Sequence, residues 1–388
     1  MRPVIILRLV LPLLLLSLLW VTGRAAESIP SPPQVPVRAY VLMDFYSGDI
    51  LAQDNGDVRM EPASITKLMT GYILYKNLKE GHIKLTDQVT ISDKAWRTGG
   101  SRMFVQVGTK VALEDLIMGM DVQSGNDATV ALAEDVAGSE SAFADLMNQE
   151  AAKLGMTNTH FMNSTGLPDP NHYTTAHDIA LLLRAIIKQF PDDYKRYAVR
   201  EFTYNNITQQ NRNRMLGLDE SVDGGKTGYT NNAGYCLAAS AKRGDMRLVS
   251  VVLGAKRERE RVIATQALLN YGFHFYETHP VYEADKPLTE VRLWKGTVNK
   301  LPLGVIETLY VTVPKGKFPE VHAGFQADKV TITAPVTRGT PFGNITVTMG
   351  DKTLVNTPLV ALQDVPRAGF FKRLWDTLWY PVYALFHW

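Results

Sequence analysis

The sequence predicts an α+β protein: a first domain of helices flanking an antiparallel sheet, a small all-β domain behind it, and an amphipathic helix at the C-terminus. Three observations point there. Apolar residues recur at helical spacing in several segments between Ala63 and Gln189. Two runs, Gly225–Ala241 and Arg247–Leu253, alternate like neighbouring antiparallel strands joined by the turn Arg243-Gly244-Asp245. Beyond about Glu277 the helical stretches give way to short β-rich runs separated by Pro and Gly.

The elements follow in order. Arg2 and Arg8, the apolar run Leu9–Val21 and the small residues around Ala25-Ala26 have the layout of a secretory signal peptide, so residues 1–26 are expected to be cleaved on export. The alternative is an uncleaved anchor from Val4 to Val21. A Pro-rich arm covers 27–37. Ala39–Ile50 is strand-like and turns at Tyr46-Ser47-Gly48. Helices are expected over Ala63–Leu78, Glu114–Met120, Ala128–Val136, Ser141–Leu154, Ala176–Gln189 and Arg257–Leu269. In the β-rich part, strands are expected at Val291–Trp294, Leu309–Val313, Lys329–Ala334 and Asn344–Met349. These limits give domains at 27–276 and 277–366. A terminal segment, 367–388, carries Phe370, Phe371, Leu374, Trp375, Leu378, Trp379 and Val382 on one stripe and Lys372, Arg373, Asp376 and Thr377 on the other. That pattern suits a helix lying in a membrane interface, with Pro381 kinking or ending it.

Composition removes several function classes. A formal net charge of +2 over 388 residues gives no broad basic field for nucleic acid. The single cysteine, Cys236, reads as a small core residue with no metal partners. His160, His172 and His177 are scattered without a ligand frame, so neither metal nor cofactor is expected.

The chemistry lies in three short strings: Ser64-Ile65-Thr66-Lys67, Ser124-Gly125-Asn126 and Lys226-Thr227-Gly228. An i, i+3 spacing sets Ser64 and Lys67 on one helix face. A serine hydroxyl needs a base, and a lysine serves only if burial or a nearby cation strips its proton; Lys226 is the candidate cation. The backbone N–H of Ser64 suits an oxyanion. Ser124 is placed to relay a proton to a leaving amine, and Asn126 to hold Lys67 or a substrate amide. Gly228 leaves room at a strand edge for an extended peptide. Each string alone has a bland reading as a cap, turn or solvated strand. Together, and in this order, they are specific.

These strings, with Pro62–Thr70, Gln123–Ala128, Asn163-Ser164-Thr165-Gly166-Leu167 and Val222–Gly228, resemble the D-alanyl-D-alanine carboxypeptidase family of low-molecular-mass penicillin-binding proteins over essentially the whole chain. The resemblance implies a β-lactamase/transpeptidase-like catalytic domain on the periplasmic face of the bacterial inner membrane, a serine hydrolase without cofactor. Its implied partners are peptidoglycan stem peptides ending in D-Ala-D-Ala, β-lactams, and the membrane surface through the C-terminal helix. It implies Ser64 as nucleophile, Lys67 as base, and Ser124 and Asn126 in the proton network. Lys226 would bridge that network and the substrate. Thr227 would hold the terminal carboxylate, Gly228 would line the strand edge, and the backbone of Tyr229 would supply the second oxyanion donor. Arg261 matches a family arginine at the carboxylate end, with Arg257 and Arg259 as rivals. Tyr229 is a departure, since some relatives carry His there. A D,D-endopeptidase, a β-lactamase and a non-catalytic penicillin-binding sensor stand as alternatives. The β-lactamase is disfavoured because no Glu-x-x-Leu-Asn string lies between Ser124 and Lys226.

Overall fold

The computed structural model describes residues 29–328 and 331–386, with side chains as far as Tyr380; the expected signal peptide therefore lies outside the described residues. The first sheet has five antiparallel strands in the order Ile50–Asp54, Ala39–Asp44, Met246–Ala255, Gly234–Arg243, Val222–Thr230. The run expected as one strand over 225–241 is two. Asn231, Asn232 and Ala233 form a hairpin tip, with the Arg38 guanidinium donating to the carbonyls of Asn232 and Ala233. The alternation was misleading because it resumes in phase on the far side of the turn.

Strand alternation sends side chains to both faces of this sheet. Val41, Met43, Val249 and Val251 enter the core shared with the helices. Leu42 and Leu248 face Gly272 of the Glu258–Phe275 helix, whose missing side chain allows that close packing. On the helical side, Lys67–Glu80 runs through the core and buries Leu68, Met69, Tyr72, Ile73, Leu74 and Tyr75. It ends at Gly81, which adopts φ +77° where a left-handed cap is needed. Around it lie Leu113–Asp121, Asn126–Ala137, Glu140–Lys153 and Ala176–Gln189.

Tyr276–Tyr282 pairs with Leu309–Pro314, and a six-stranded sheet follows around Leu293, Leu301, Leu303, Ile345, Val347 and Leu359. Lys300–Gly304, Val321–Ala327 and Lys352–Ala361 belong to that sheet although none was expected; Pro302, Gly324 and Pro358 disguise them as loops. Where a strand was expected over 329–334, the described part is Ile332–Thr333, and Lys329 and Val330 lie outside the described residues. The buried Asp44 carboxylate, at the end of the strand Ala39–Asp44, accepts a 2.6 Å hydrogen bond from Thr278 of the two-stranded sheet Tyr276–Tyr282 with Leu309–Pro314.

The terminal helix spans Phe370–Phe386 and continues past Pro381. It docks by its polar side. Asp376, 3% exposed, accepts the Lys295 N–H at 2.6 Å, and the Tyr380 hydroxyl meets Thr331 at 2.8 Å. Among the described residues no helix is long and apolar enough to cross a membrane.

Candidate active site

The nucleophile turn is tighter than the expected α-helix: Ala63–Thr66 is a 3-10 turn, and the α-helix starts at Lys67. Ala63 sits at φ +47°, a conformation that an L residue adopts only under constraint. Two glycines supply it. A Cβ on Gly228 would lie 2.9 Å from the Pro62 carbonyl oxygen, and one on Gly166 would lie 1.8 Å from that of Ala63. The close approach that Gly228 permits is therefore that of the Ser64 turn to the strand.

Lys67 is fully buried, and its Nζ lies 3.0 Å from Ser64 Oγ, 2.7 Å from Asn126 Oδ1 and 2.8 Å from the Thr165 carbonyl oxygen. Burial, and then the cations Lys226 and Arg212, hold the amine well below the ordinary lysine range. A neutral amine has two N–H donors and one lone pair. The Asn126 and Thr165 oxygens accept the two N–H groups, which leaves the lone pair for the Ser64 hydroxyl proton. The Asn126 amide is itself fixed, since its Nδ2 donates to the Gly99 carbonyl at 2.6 Å.

Ser124 stands at φ +70° between two helices, 2% exposed, and its Oγ has no hydrogen-bond partner among the described residues. An unpaired buried hydroxyl is costly unless another group uses it. Lys226 is 2% exposed; burial pushes it down to about 7, against the pull of Asp121. Its Nζ donates to the Thr227 carbonyl at 3.3 Å.

A cavity of about 950 Å³ opens over these groups, lined by Ser64, Ser124, Thr227, Gly228, Tyr229 and Arg261 among others. Arg261 is 4% exposed, in the first turn of its helix, and donates to the Gly228 carbonyl at 3.4 Å and to Glu258 at 3.2 Å. Arg257 caps that helix and, like Arg259, points to solvent away from the cavity. The Tyr229 ring stacks on Tyr235 with centroids 4.3 Å apart, and its hydroxyl donates to Asn231, so the side chain turns toward the hairpin.

Sequence reasoning missed three supports. Asn163 Oδ1 accepts the N–H groups of Thr165, Gly166 and Leu167, shaping the loop that presents the Thr165 carbonyl to Lys67. His172, buried and pushed down to about 4, takes the Met162 N–H on Nδ1 and lies 2.9 Å from the Thr66 hydroxyl on Nε2, so it is neutral with the proton on Nε2. Residues Arg200–Leu218 build a whole wall of the cavity. The turn-forming string Asn163–Gly166 was a signal for the first; a buried histidine contact and a wall built of a short hairpin and a polar loop leave none.

Residues 26–257 match the D-alanyl-D-alanine carboxypeptidase family, and residues 276–367 match the C-terminal domain of penicillin-binding protein 5. The chain belongs to the D-alanyl-D-alanine carboxypeptidase family. It is 44% identical over 362 residues to the D-alanyl-D-alanine carboxypeptidase DacC of Escherichia coli, covering 92% of this chain and 90% of that protein. The crystal structure of penicillin-binding protein 5 from Haemophilus influenzae superposes with a TM-score of 0.80 at 40% identity, covering 87% of this chain and all of the other. Penicillin-binding protein D2 of Listeria monocytogenes, solved in its ampicillin-bound form, is 27% identical with a TM-score of 0.58 and covers 63% of this chain and all of its own.

Proposed function

We propose that this chain is a serine D-Ala-D-Ala carboxypeptidase that trims peptidoglycan stem peptides through an acyl-enzyme on Ser64 and is acylated there by β-lactams. One observation carries the reading: a fully buried, charge-depleted Lys67 amine 3.0 Å from the Ser64 hydroxyl. Lys67 takes the Ser64 proton as Oγ attacks the penultimate D-Ala carbonyl. The oxyanion is received by the backbone N–H groups of Ser64 and Tyr229. The proton held on Lys67 passes through the Ser124 hydroxyl to the leaving amine, and terminal D-Ala departs. Lys226 and Thr227 hold the substrate's carboxylate end together with Arg261. Water, deprotonated by Lys67, then clears the ester and restores Ser64. The Listeria relative's ampicillin-bound form supports the β-lactam part of the reading.

Residues 1–26 serve as the export signal, 27–276 as the catalytic domain, 277–366 as a spacer, and 367–388 as an anchor in the outer surface of the inner membrane. The exposed Phe370, Phe371, Leu374, Trp375, Leu378 and Trp379 support the last assignment. The catalytic reading is tested by intact-protein mass spectrometry after penicillin treatment, alongside D-Ala release from a D-Ala-D-Ala peptide. One adduct per chain on Ser64, absent from a folded Ser64→Ala variant, is expected. A folded wild-type protein that neither takes the adduct nor releases D-Ala would refute it.

A further inference from the structure

The Thr165 carbonyl that meets Lys67 is held in place by a chain of hydrogen bonds that begins at the surface. Glu140, the first residue of the helix Glu140–Lys153, is buried. One of its carboxylate oxygens accepts the Ser164 N–H at 3.1 Å and the Ser164 hydroxyl at 2.8 Å. The other lies 2.7 Å from Nζ of Lys94, an exposed residue of the short helix Asp93–Arg97. Ser164 is fully buried, and its carbonyl accepts the Thr70 hydroxyl at 2.7 Å. Thr70 lies one turn beyond Lys67 on the same helix. Both carbonyls of Ser164-Thr165 thus bind one helix, the first through Thr70 and the second through Lys67, while Glu140 takes the N–H and hydroxyl of Ser164.

A carboxylate is a costly group to bury merely to hold a loop, since a neutral acceptor takes the same two hydrogen bonds. Lys94 offsets its charge only in part, because that amine stands in water where its field is screened. The other ionisable groups nearby are occupied or neutral. Asp127 accepts the N–H groups of Met103, Phe104 and Val105, Glu134 takes the Ser92 hydroxyl, and His172 is neutral. The field of Glu140 reaches Lys67, where it and Asp127 oppose burial and the cations Lys226 and Arg212. That opposition has a chemical use. An amine stripped of its proton too readily is a weak base, because proton-accepting power falls with proton affinity.

We infer that Glu140 is a positioning residue for the general base: it fixes the Ser164-Thr165 segment whose carbonyl aligns the Lys67 amine, and its charge tempers the cations around that amine. This rests on the reading of Lys67 as the base for Ser64 and adds a residue that acts through it, without touching substrate.

The experiment measures the second-order rate of Ser64 acylation by a fluorescent penicillin as a function of pH, in wild type, Glu140→Gln and Lys94→Met. Glutamine keeps an acceptor oxygen for Ser164 and removes the charge, so Lys67 loses its proton more readily. The acid limb of the profile should move to lower pH by about half a unit or more, and the plateau should fall. Methionine at position 94 removes the cation that screens Glu140, so the acid limb should move to higher pH. Thermal melts establish folding; Lys94 is exposed, so its variant tests the charge even where Glu140→Gln proves unstable. A merely structural Glu140 would lower the rate at every pH and move neither limb. Unmoved limbs, or limbs that move the same way in both variants, overturn the inference. So do shifts that vanish in a His172→Gln background, since they would belong to the histidine, which Glu140 also influences. In each of these cases the carboxypeptidase reading stands. Folded wild type that takes no penicillin adduct and releases no D-Ala would instead sink both.

Discussion

The cleft and the terminal helix both break the ordinary rule of burial, in opposite senses. The cleft hides two lysines, Lys67 and Lys226, at 0% and 2% exposure. The helix displays Phe371 and Leu378 at 85% and 64%. The two inversions are relieved differently. A buried amine can give up its proton, and in the proposed mechanism that relief is itself the chemistry, since the neutral amine serves as the base. An exposed phenyl or isobutyl group has no second form, so only another apolar surface relieves it. On the proposed reading the cleft is completed within the chain, whereas a membrane outside it completes the helix.

The largest expected effect breaks the comparison on the cleft side. Lys67→Ala should slow penicillin acylation by about 10²- to 10⁴-fold, the usual contribution of a general base. Lys67→Arg should rescue nothing, because a guanidinium does not give up its proton. Stopped-flow or gel-based labelling rates decide it, and an Arg variant that retained rate would mean that proton loss at this position is irrelevant.

His172 sharpens the comparison as a second buried base, after Lys67, whose environment opposes a proton. Burial pushes it from the ordinary histidine value of 6.5 down to about 4. Between those values the unfolded chain binds a proton that the folded chain refuses, so His172 removes stability as pH falls, by up to about 3 kcal/mol. Asp121 works in the opposite sense. Burial raises it from 3.8 to about 7, so its contribution is lost as pH rises through that range. The wild-type curve is flattened by the opposition, and the difference between wild type and His172→Gln isolates the histidine. Urea unfolding at pH 6.5 and 4.5 should show wild type losing stability relative to the variant on acidification. A pH-independent difference would mean that His172 is not held neutral.

On the helix side the effects are smaller and separable. Trp375→Ala should weaken binding to lipid vesicles by about 30-fold, the equivalent of roughly 2 kcal/mol of apolar burial, with the melting temperature unchanged. Asp376→Ala should do the reverse. It leaves the Lys295 N–H without its acceptor and costs about 1–2 kcal/mol of stability. Vesicle sedimentation and thermal melts on the two variants test the split, and equal effects on both readouts would mean that the two faces are not distinct.

Ser64 and Lys67 were legible because their relation is local: three residues apart at a helix start, they share a face whatever the rest of the chain does. The amphipathic stripe from Phe370 was legible for the same reason. The run 225–241 was legible as β structure but not as two strands, since a turn of Asn231 and Asn232 leaves the alternation in phase. The Thr165 carbonyl was illegible because a backbone oxygen has no letter. The Arg200–Leu218 wall was illegible because its short hairpin, Glu201–Tyr204 with Ile207–Gln210, and the polar loop after it carry neither a sustained period nor a motif.

The sequence by itself determined the α+β class, the two faces of the terminal helix and the Ser64–Lys67 pair proposed to react, all of which depend on residue type and short spacing. Tertiary structure decided the state of those groups. Burial and the charges of Lys226 and Arg212, residues more than a hundred positions away along the chain, hold Lys67 well below the ordinary lysine range. Electrostatic fields and desolvation act through space, and only the fold sets which distant charges share that space.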